Sequence, residues 1–453
     1  MKNNVLGLFI ILLVILSFLP DWGFLYEGNS RPTISFPEIG VIIFIIIWFL
    51  QKLLQKDPKF SQKSVKIFIL IFSIFLVATI GGVLHFNNIN WNEHFKSSIK
   101  LIFWAIFMFC WIDVMRELSS NSQFSNRAWK YYLNCALIIS SLAIFQYIFY
   151  QFTVSHLNLN PFLNQRWGVI GWVYRATAIY VEPSWLGIIL MPPLIAQGRL
   201  FFSKSELSYL WKFLFLLAGV LVSLSLASFI VLGVWGLLTL LKWIFQKLGI
   251  FIKEKIKKRE INTIIVVFFL IIIGLLIGFK WLFPLITPRI ITEFNVLVFN
   301  LTRGRMDRLT SGIRRFSSYE GFWTILKKSP LFGVGFDQID YVSSLMGKYF
   351  EATTSGIIGF IGTSAGLLGI FLIFYILKFI WNGGEKKSLK IKLKNQPHLL
   401  IIGRGIVVAL FLEQLILYAG ILNADFWLLL AFAYLFISSG RREIEKSYKS
   451  YAK

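Results

Sequence analysis

Long apolar runs separated by short polar intervals set the pattern of this chain. Segments such as VIIFIIIWFL (41–50) and IIVVFFLIIIGLLIGF (264–279) are apolar throughout, with none of the period-2 alternation that a membrane-spanning barrel requires. Lipid offers no water to an open backbone, so runs of this length imply helices that satisfy their own N–H and C=O groups. Twelve spans are read from the pattern: 4–20, 38–54, 66–86, 98–116, 131–153, 183–200, 209–224, 227–246, 261–283, 354–380, 399–420 and 424–439. The expected fold is all-α, a polytopic membrane protein forming a single integral membrane domain over 1–453. Leu210–Phe245 is nearly continuous, and only SLSLAS (223–228) marks a turn within it. Pro183 suits the first turn of the sixth span, whereas Pro192-Pro193 in its middle should kink or break the helix.

Composition agrees: 57% of the 453 residues are apolar and mean hydropathy is +0.70. A net charge of +24 could suggest a nucleic-acid partner, but its placement argues otherwise. About 30 of the 46 Lys and Arg fall at the termini and in alternate loops, among them 51–66, 116–130, 199–212, 247–260 and 381–397. That is the positive-inside pattern of a multi-pass protein with both termini in the cytoplasm, and no nucleic-acid partner is expected. The N-terminus has the lysine and apolar run of a signal peptide but no small-residue cleavage site, so it reads as an uncleaved first helix. Cys110 and Cys135 both lie in or beside apolar helices, which indicates neither a disulfide framework nor a metal site. On the opposite side the large loops are 154–182 and 284–353. The second, a large extracytoplasmic loop, starts too apolar for open water and too broken by Pro284 and Pro288 for a span, so it should contain interfacial helices.

Two polar stretches could carry chemistry. Residues 301–335 hold seven basic and two acidic side chains, five of them arginines: Arg303, Arg305, Arg308, Arg314 and Arg315. The guanidinium fork suits phosphate and pyrophosphate oxygens, although a basic run is also what a solvated face looks like. Met306, Leu309, Ile313 and Phe316 recur at helical spacing, with Ser311-Gly312 as a potential break. The other stretch is YRATAIYVEPSWLG (174–187). Pro183 places Glu182 at the helix N-cap, where the positive end of the helix and Arg175 can hold an anion. The competing reading has Glu182 merely capping the helix and Arg175 snorkelling to headgroups. Glu413 in the eleventh span is an intramembrane charge that either faces a cavity or makes a structural hydrogen bond. Arg404 is near enough to the cytoplasmic end to snorkel, and Asp113 and His85 should be wetted at span ends.

The segment Arg175…Glu182-Pro183-Ser184…Gly187, followed by Arg315…Pro330-Leu331-Phe332-Gly333-Val334-Gly335, resembles the O-antigen polymerase and O-antigen ligase superfamily. The motifs cover about a tenth of the chain, but their order, spacing and place in a twelve-span plan agree. The resemblance implies a GT-C-like glycosyltransferase in the bacterial cytoplasmic membrane, using a polyprenyl-diphosphate-linked oligosaccharide at the outer leaflet of the lipid bilayer. Arg315 matches the family's loop arginine and would contact pyrophosphate, with Arg175 second. Arg303, Arg305, Arg308 and Arg314 would support them, and Glu182 would serve as general base or orienter for the acceptor hydroxyl. Glu413 is carried as a further substrate-binding candidate. Neither a cofactor nor a metal is implied, and flippase and chain-length regulator proteins are the expected partners. The 284–353 loop has no histidine, which favours a polymerase over a ligase, the main alternative. Against the family pattern, the serine-arginine pair after the seventh span reads Ser228-Phe229. A transporter or flippase of lipid-linked sugars is the rival outside the enzyme class; the absence of an inverted repeat argues against it.

Overall fold

The computed structural model describes residues 2–19, 23–26, 32–55, 58–119, 122–153, 155–159, 174–180, 182–253, 311–347, 356–385, 396–416 and 420–451. Over these residues the chain forms thirteen α-helices and one small hairpin. The helices are α1 (Lys2–Leu16), α2 (Phe36–Leu53), α3 (Gln62–Leu84), α4 (Trp91–Leu118), α5 (Ser122–Thr153), α6 (Pro183–Lys204) and α7 (Leu207–Val222). They continue as α8 (Leu226–Lys253), α9 (Ser311–Lys328), α10 (Ile339–Met346), α11 (Gly362–Trp381), α12 (His398–Ile416) and α13 (Ala424–Tyr451). Eleven of the twelve expected spans coincide with a helix, and the twelfth, 261–283, lies outside the described residues. Among the described residues seven helices are long and apolar enough to cross a membrane, and three shorter apolar ones accompany them, which makes this a helical multi-pass membrane protein. The seventh and eighth spans separate where the serine-rich turn predicts.

Three helices form the centre of the bundle. Between Pro183 and Leu200 of α6 only Ser184 and Arg199 escape full burial, and Ala424–Arg441 of α13 is buried except at Ser438. A helix surrounded on all sides has no use for a polar stripe, which is why both read as uniformly apolar. Small residues let the axes close up: a Cβ on Gly405 of α12 would lie 2.8 Å from the Ala196 Cα of α6, and one on Gly440 would lie 2.6 Å from the Leu400 backbone nitrogen. Around this centre α2, α3, α5, α7 and α8 expose Leu50, Ile69, Leu76, Ile138, Leu214 and Leu238, as helices facing hydrocarbon do. Of the two outcomes expected at Pro192-Pro193, a break does not occur; α6 runs on as one helix with both prolines buried.

The two ends of the bundle differ. At one, the predicted basic loops meet: Lys63 pairs with Glu385 at 2.5 Å, Ser125 Oγ lies 2.7 Å from Ser439 Oγ, and Arg442 donates to Arg116 O at 2.7 Å. Asp113 belongs to this end. It is buried rather than wetted, accepting from Trp48 Nε1 (3.1 Å) and the Ser61 amide (3.0 Å) and pairing with Lys52 (2.7 Å). At the other end a short antiparallel hairpin, β1 (Gly23–Tyr26) and β2 (Pro32–Ser35), precedes α2. It departs from the all-α expectation because four-residue strands fall below any periodicity signal. Its last residue, Ser35, caps α2 in a reciprocal box with Glu38.

The PLFGVG segment joins α9 to the rest. A π turn at Ile357–Ile361 leads into α11, whose helical path breaks at Gly366 (φ 61°, ψ −157°). The 330–335 turn inserts there and takes up the freed backbone groups. Val334 N donates to Thr363 O (2.9 Å) and Gly335 N to Ser364 O (3.0 Å), while Leu367 N donates back to Pro330 O (2.9 Å). On its other side the turn rests on α3 and α4, where the Phe336 amide donates to Nδ1 of buried His94 at 3.0 Å and a Cβ on Gly81 would meet Phe332 O at 2.3 Å. Gly333 and Gly335, at φ 66° and 91°, therefore shape this joint, as the sequence indicates.

Candidate functional site

Arg175 is fixed from two sides before it can meet any ligand. Gln146, the lone amide in the apolar middle of α5 and 1% exposed, accepts from the Thr177 and Ala178 amides at 2.8 and 2.9 Å and donates to Leu157 O at 2.6 Å. From α7, Val222 O accepts from the Ala176 amide at 3.0 Å. These bonds hold Arg175, half-buried, beside the α7–α8 turn, where its Nε donates to Ser223 O at 3.5 Å. Next to this strap Tyr150 stacks on Tyr174 with centroids 4.3 Å apart, and His156 packs 5.3 Å from Tyr174. Burial, then the neighbouring Tyr150, pushes the Tyr174 hydroxyl up to about 12, and burial lowers His156, so both are neutral at pH 7.

Seven residues on, Glu182 occupies the N-cap of α6 in extended conformation (φ −131°), but its side chain does not cap the helix. Instead its Oε2 accepts from Ser184 Oγ at 3.3 Å. The capping reading of Glu182 is thereby set aside, while the helix N-terminus beneath it stays positive. One turn further, Gly187 lies against α8 so closely that a Cβ would sit 1.8 Å from Ser228 Oγ. The Gly of the EPS…G stretch and the serine after the seventh span are thus packing partners.

Below this mouth lies a small cavity with room for about one water, roughly 10 Å³, between α6, α12 and α13. Trp185, Ile188, Glu413, Gln414 and Asp425 line it. Glu413 and Asp425 are 3% and 5% exposed, and among the described residues Glu413 Oε1 and Gln414 Oε1 have no hydrogen-bond partner. Glu413 therefore faces a cavity, which favours the first of its two readings. A buried carboxyl such as Glu413 is costly unless a proton, a water or a cationic or hydroxyl-bearing ligand joins it. Gln146, Gln414 and Asp425 are the residues that sequence reading missed. Their only signal was a polar side chain inside an apolar run, the same signal that singled out Glu413.

The loop helix α9 docks at this same end. Tyr319 Oη donates to Leu415 O, two residues from Glu413, and a Cβ on Gly362 would meet the Phe322 ring at 2.5 Å. Arg314 and Arg315 lie in α9, with Arg315 one turn before Tyr319. Of the expected apolar stripe, Ile313 and Phe316 are in α9. Met306 and Leu309, with Arg303, Arg305 and Arg308, lie outside the described residues. The structure brings Arg175, Glu182 and Glu413 to one end of the bundle together with the helix that carries Arg314 and Arg315. Arg404 is at the other end and does not snorkel: it is 4% exposed. The chain matches no protein-family model and no curated protein, so the family resemblance rests on the motifs described above.

Proposed function

We propose that this protein is a polysaccharide polymerase of the O-antigen polymerase type. It transfers a growing polyprenyl-diphosphate-linked glycan onto the acceptor hydroxyl of a lipid-linked repeat unit at the outer face of the bacterial cytoplasmic membrane. The observation that carries this reading is the docking of α9 at Leu415, beside buried Glu413 and at the end where α6 begins with Glu182. In the proposed reaction the acceptor oxygen bonds to the anomeric carbon as the bond to the pyrophosphate oxygen breaks, with inversion. The hydroxyl proton passes to Glu182, and Arg315 and Arg175 meet the charge that builds on the leaving pyrophosphate. Arg314 supports that contact, as do Arg303, Arg305 and Arg308, and the Glu413–Asp425 cavity anchors a sugar hydroxyl.

Deleting the gene and separating cell-surface polysaccharide on a gel tests the function. Loss of long chains is expected; unchanged chain length would sink it. Polymer made but retained on its lipid carrier would point to the ligase, and lipid-linked units trapped inside would point to the flippase. Arg315→Ala should abolish polymer at an unchanged protein level, and full activity in that variant removes Arg315 from the mechanism.

A further inference from the structure

At the basic end of the bundle, arginines from three helices gather near one indole. The guanidinium carbons of Arg199 (α6) and Arg404 (α12) lie 5.8 and 5.0 Å from the ring centroid of Trp381, the last residue of α11. Arg441 of α13, 7% exposed, donates to Asn382 O next to that tryptophan at 2.8 Å. Arg404 spends one donor on Gln396 Oε1, at 3.3 Å. Among the described residues its Nε and Nη2, and Nε of Arg199, are buried without a hydrogen-bond partner, and neither arginine has a carboxylate within ion-pair distance. Buried guanidinium groups with idle donors and like-charged neighbours are expensive, and an anion that fills several of those donors at once removes the expense. Phosphate oxygens fit the arginine fork best.

The surroundings say which phosphate. A groove of about 250 Å³ runs along α11 and α12. Its walls, Phe374, Leu377, Val407, Val408 and Phe411, are apolar, and at one end stand Lys378 and Trp381. Val407 and Val408 are three and four residues after Arg404, hence on its face of α12. A hydrocarbon groove that ends at Trp381, whose ring faces the Arg199 and Arg404 guanidinium groups, matches an amphiphile with an acyl chain and a phosphate head, the arrangement by which basic sites between helices hold anionic lipids. We propose that Arg199, Arg404 and Trp381 form a binding site for the phosphate of an anionic phospholipid whose acyl chain lies in the α11–α12 groove. The site is separate from the mouth: Arg199 is 17 residues along α6 from Glu182, about 26 Å at the helical rise.

The test uses the purified full chain in detergent, with thermal unfolding and native mass spectrometry in the presence of phosphatidylglycerol, phosphatidylcholine or inorganic phosphate. Phosphatidylglycerol should raise Tm and remain bound, and the other two should do neither. The double variant Arg199→Met, Arg404→Met should unfold at the same or a higher temperature without lipid, because two uncompensated charges are gone. It should bind phosphatidylglycerol at least about tenfold more weakly, as expected for loss of a charge-assisted hydrogen bond. Val408→Trp, which fills the groove and leaves the arginines in place, should lose the lipid increment too, and it carries the test if the double variant does not fold. An equal response to phosphatidylcholine, an increment retained in either variant, or a full increment from inorganic phosphate would each overturn the proposal.

Discussion

Replacing Gly333 by alanine should release the 330–335 turn from the break in α11. Gly333 holds φ 66°, and its added Cβ would lie 2.4 Å from Thr363 O, 2.5 Å from Ser364 C and 2.7 Å from Ala365 N. A left-handed conformation costs a residue with a Cβ about 1–2 kcal/mol. Overpacking adds about 1–3 kcal/mol, toward the upper end here because all three atoms are backbone and cannot rotate away. The sum, about 2–5 kcal/mol, corresponds to opening about 30-fold to several thousandfold more often. Hydrogen exchange of the Val334 and Gly335 amides reads it directly, since these donate to Thr363 O and Ser364 O. Gly347→Ala is the control: the same φ of 66° but nothing within 4 Å of its Cβ, so only the conformational cost applies. Equal acceleration in the two variants would refute the claim that the turn is clamped between backbones.

Other variants probe separate joints. Gly187→Ala should destabilise by about 1–3 kcal/mol through the collision with Ser228, and Ser228→Gly, which removes both offending atoms, should restore most of it in a double-mutant cycle of thermal stability. Glu413→Gln replaces a buried carboxyl by its neutral isostere; thermal stability should hold or rise while polymer falls at least tenfold, on the order of the loss of one charge-assisted contact. Asp337 accepts a hydrogen bond from Ser97 Oγ, yet burial dominates and holds its carboxyl above the ordinary value. The folded state then binds the proton more tightly than the unfolded chain, so the joint is most stable below the ordinary Asp value of about 3.9 and weakens as pH rises through the raised one. Asp337→Asn should flatten that decline, seen as a smaller fall in Tm of the purified chain between pH 4 and 7 than the unsubstituted chain shows.

Helix positions and the sidedness of charge are properties of neighbouring residues, so they were legible in the sequence: apolar run length sets the spans, and Pro183 sets where α6 begins. The same local logic placed a turn at Ser223–Ser228 and marked Glu413 as an oddity. Pro192-Pro193 did not end α6, which continues buried inside the bundle despite two missing donors. What depended on tertiary structure is every meeting of distant parts. Gln146 reaches across about thirty residues to hold the strap of Arg175, Tyr319 reaches Leu415 across 96, and Asp425 joins Glu413 only because α12 and α13 pack on α6. Arg404 shows the difference most sharply. By position it could have stretched to water, but the packing of α6, α11 and α12 left its guanidinium against Trp381 with donors unfilled. A side chain's reach is written in its own residue, whereas what stands within that reach is settled by the elements packed around it.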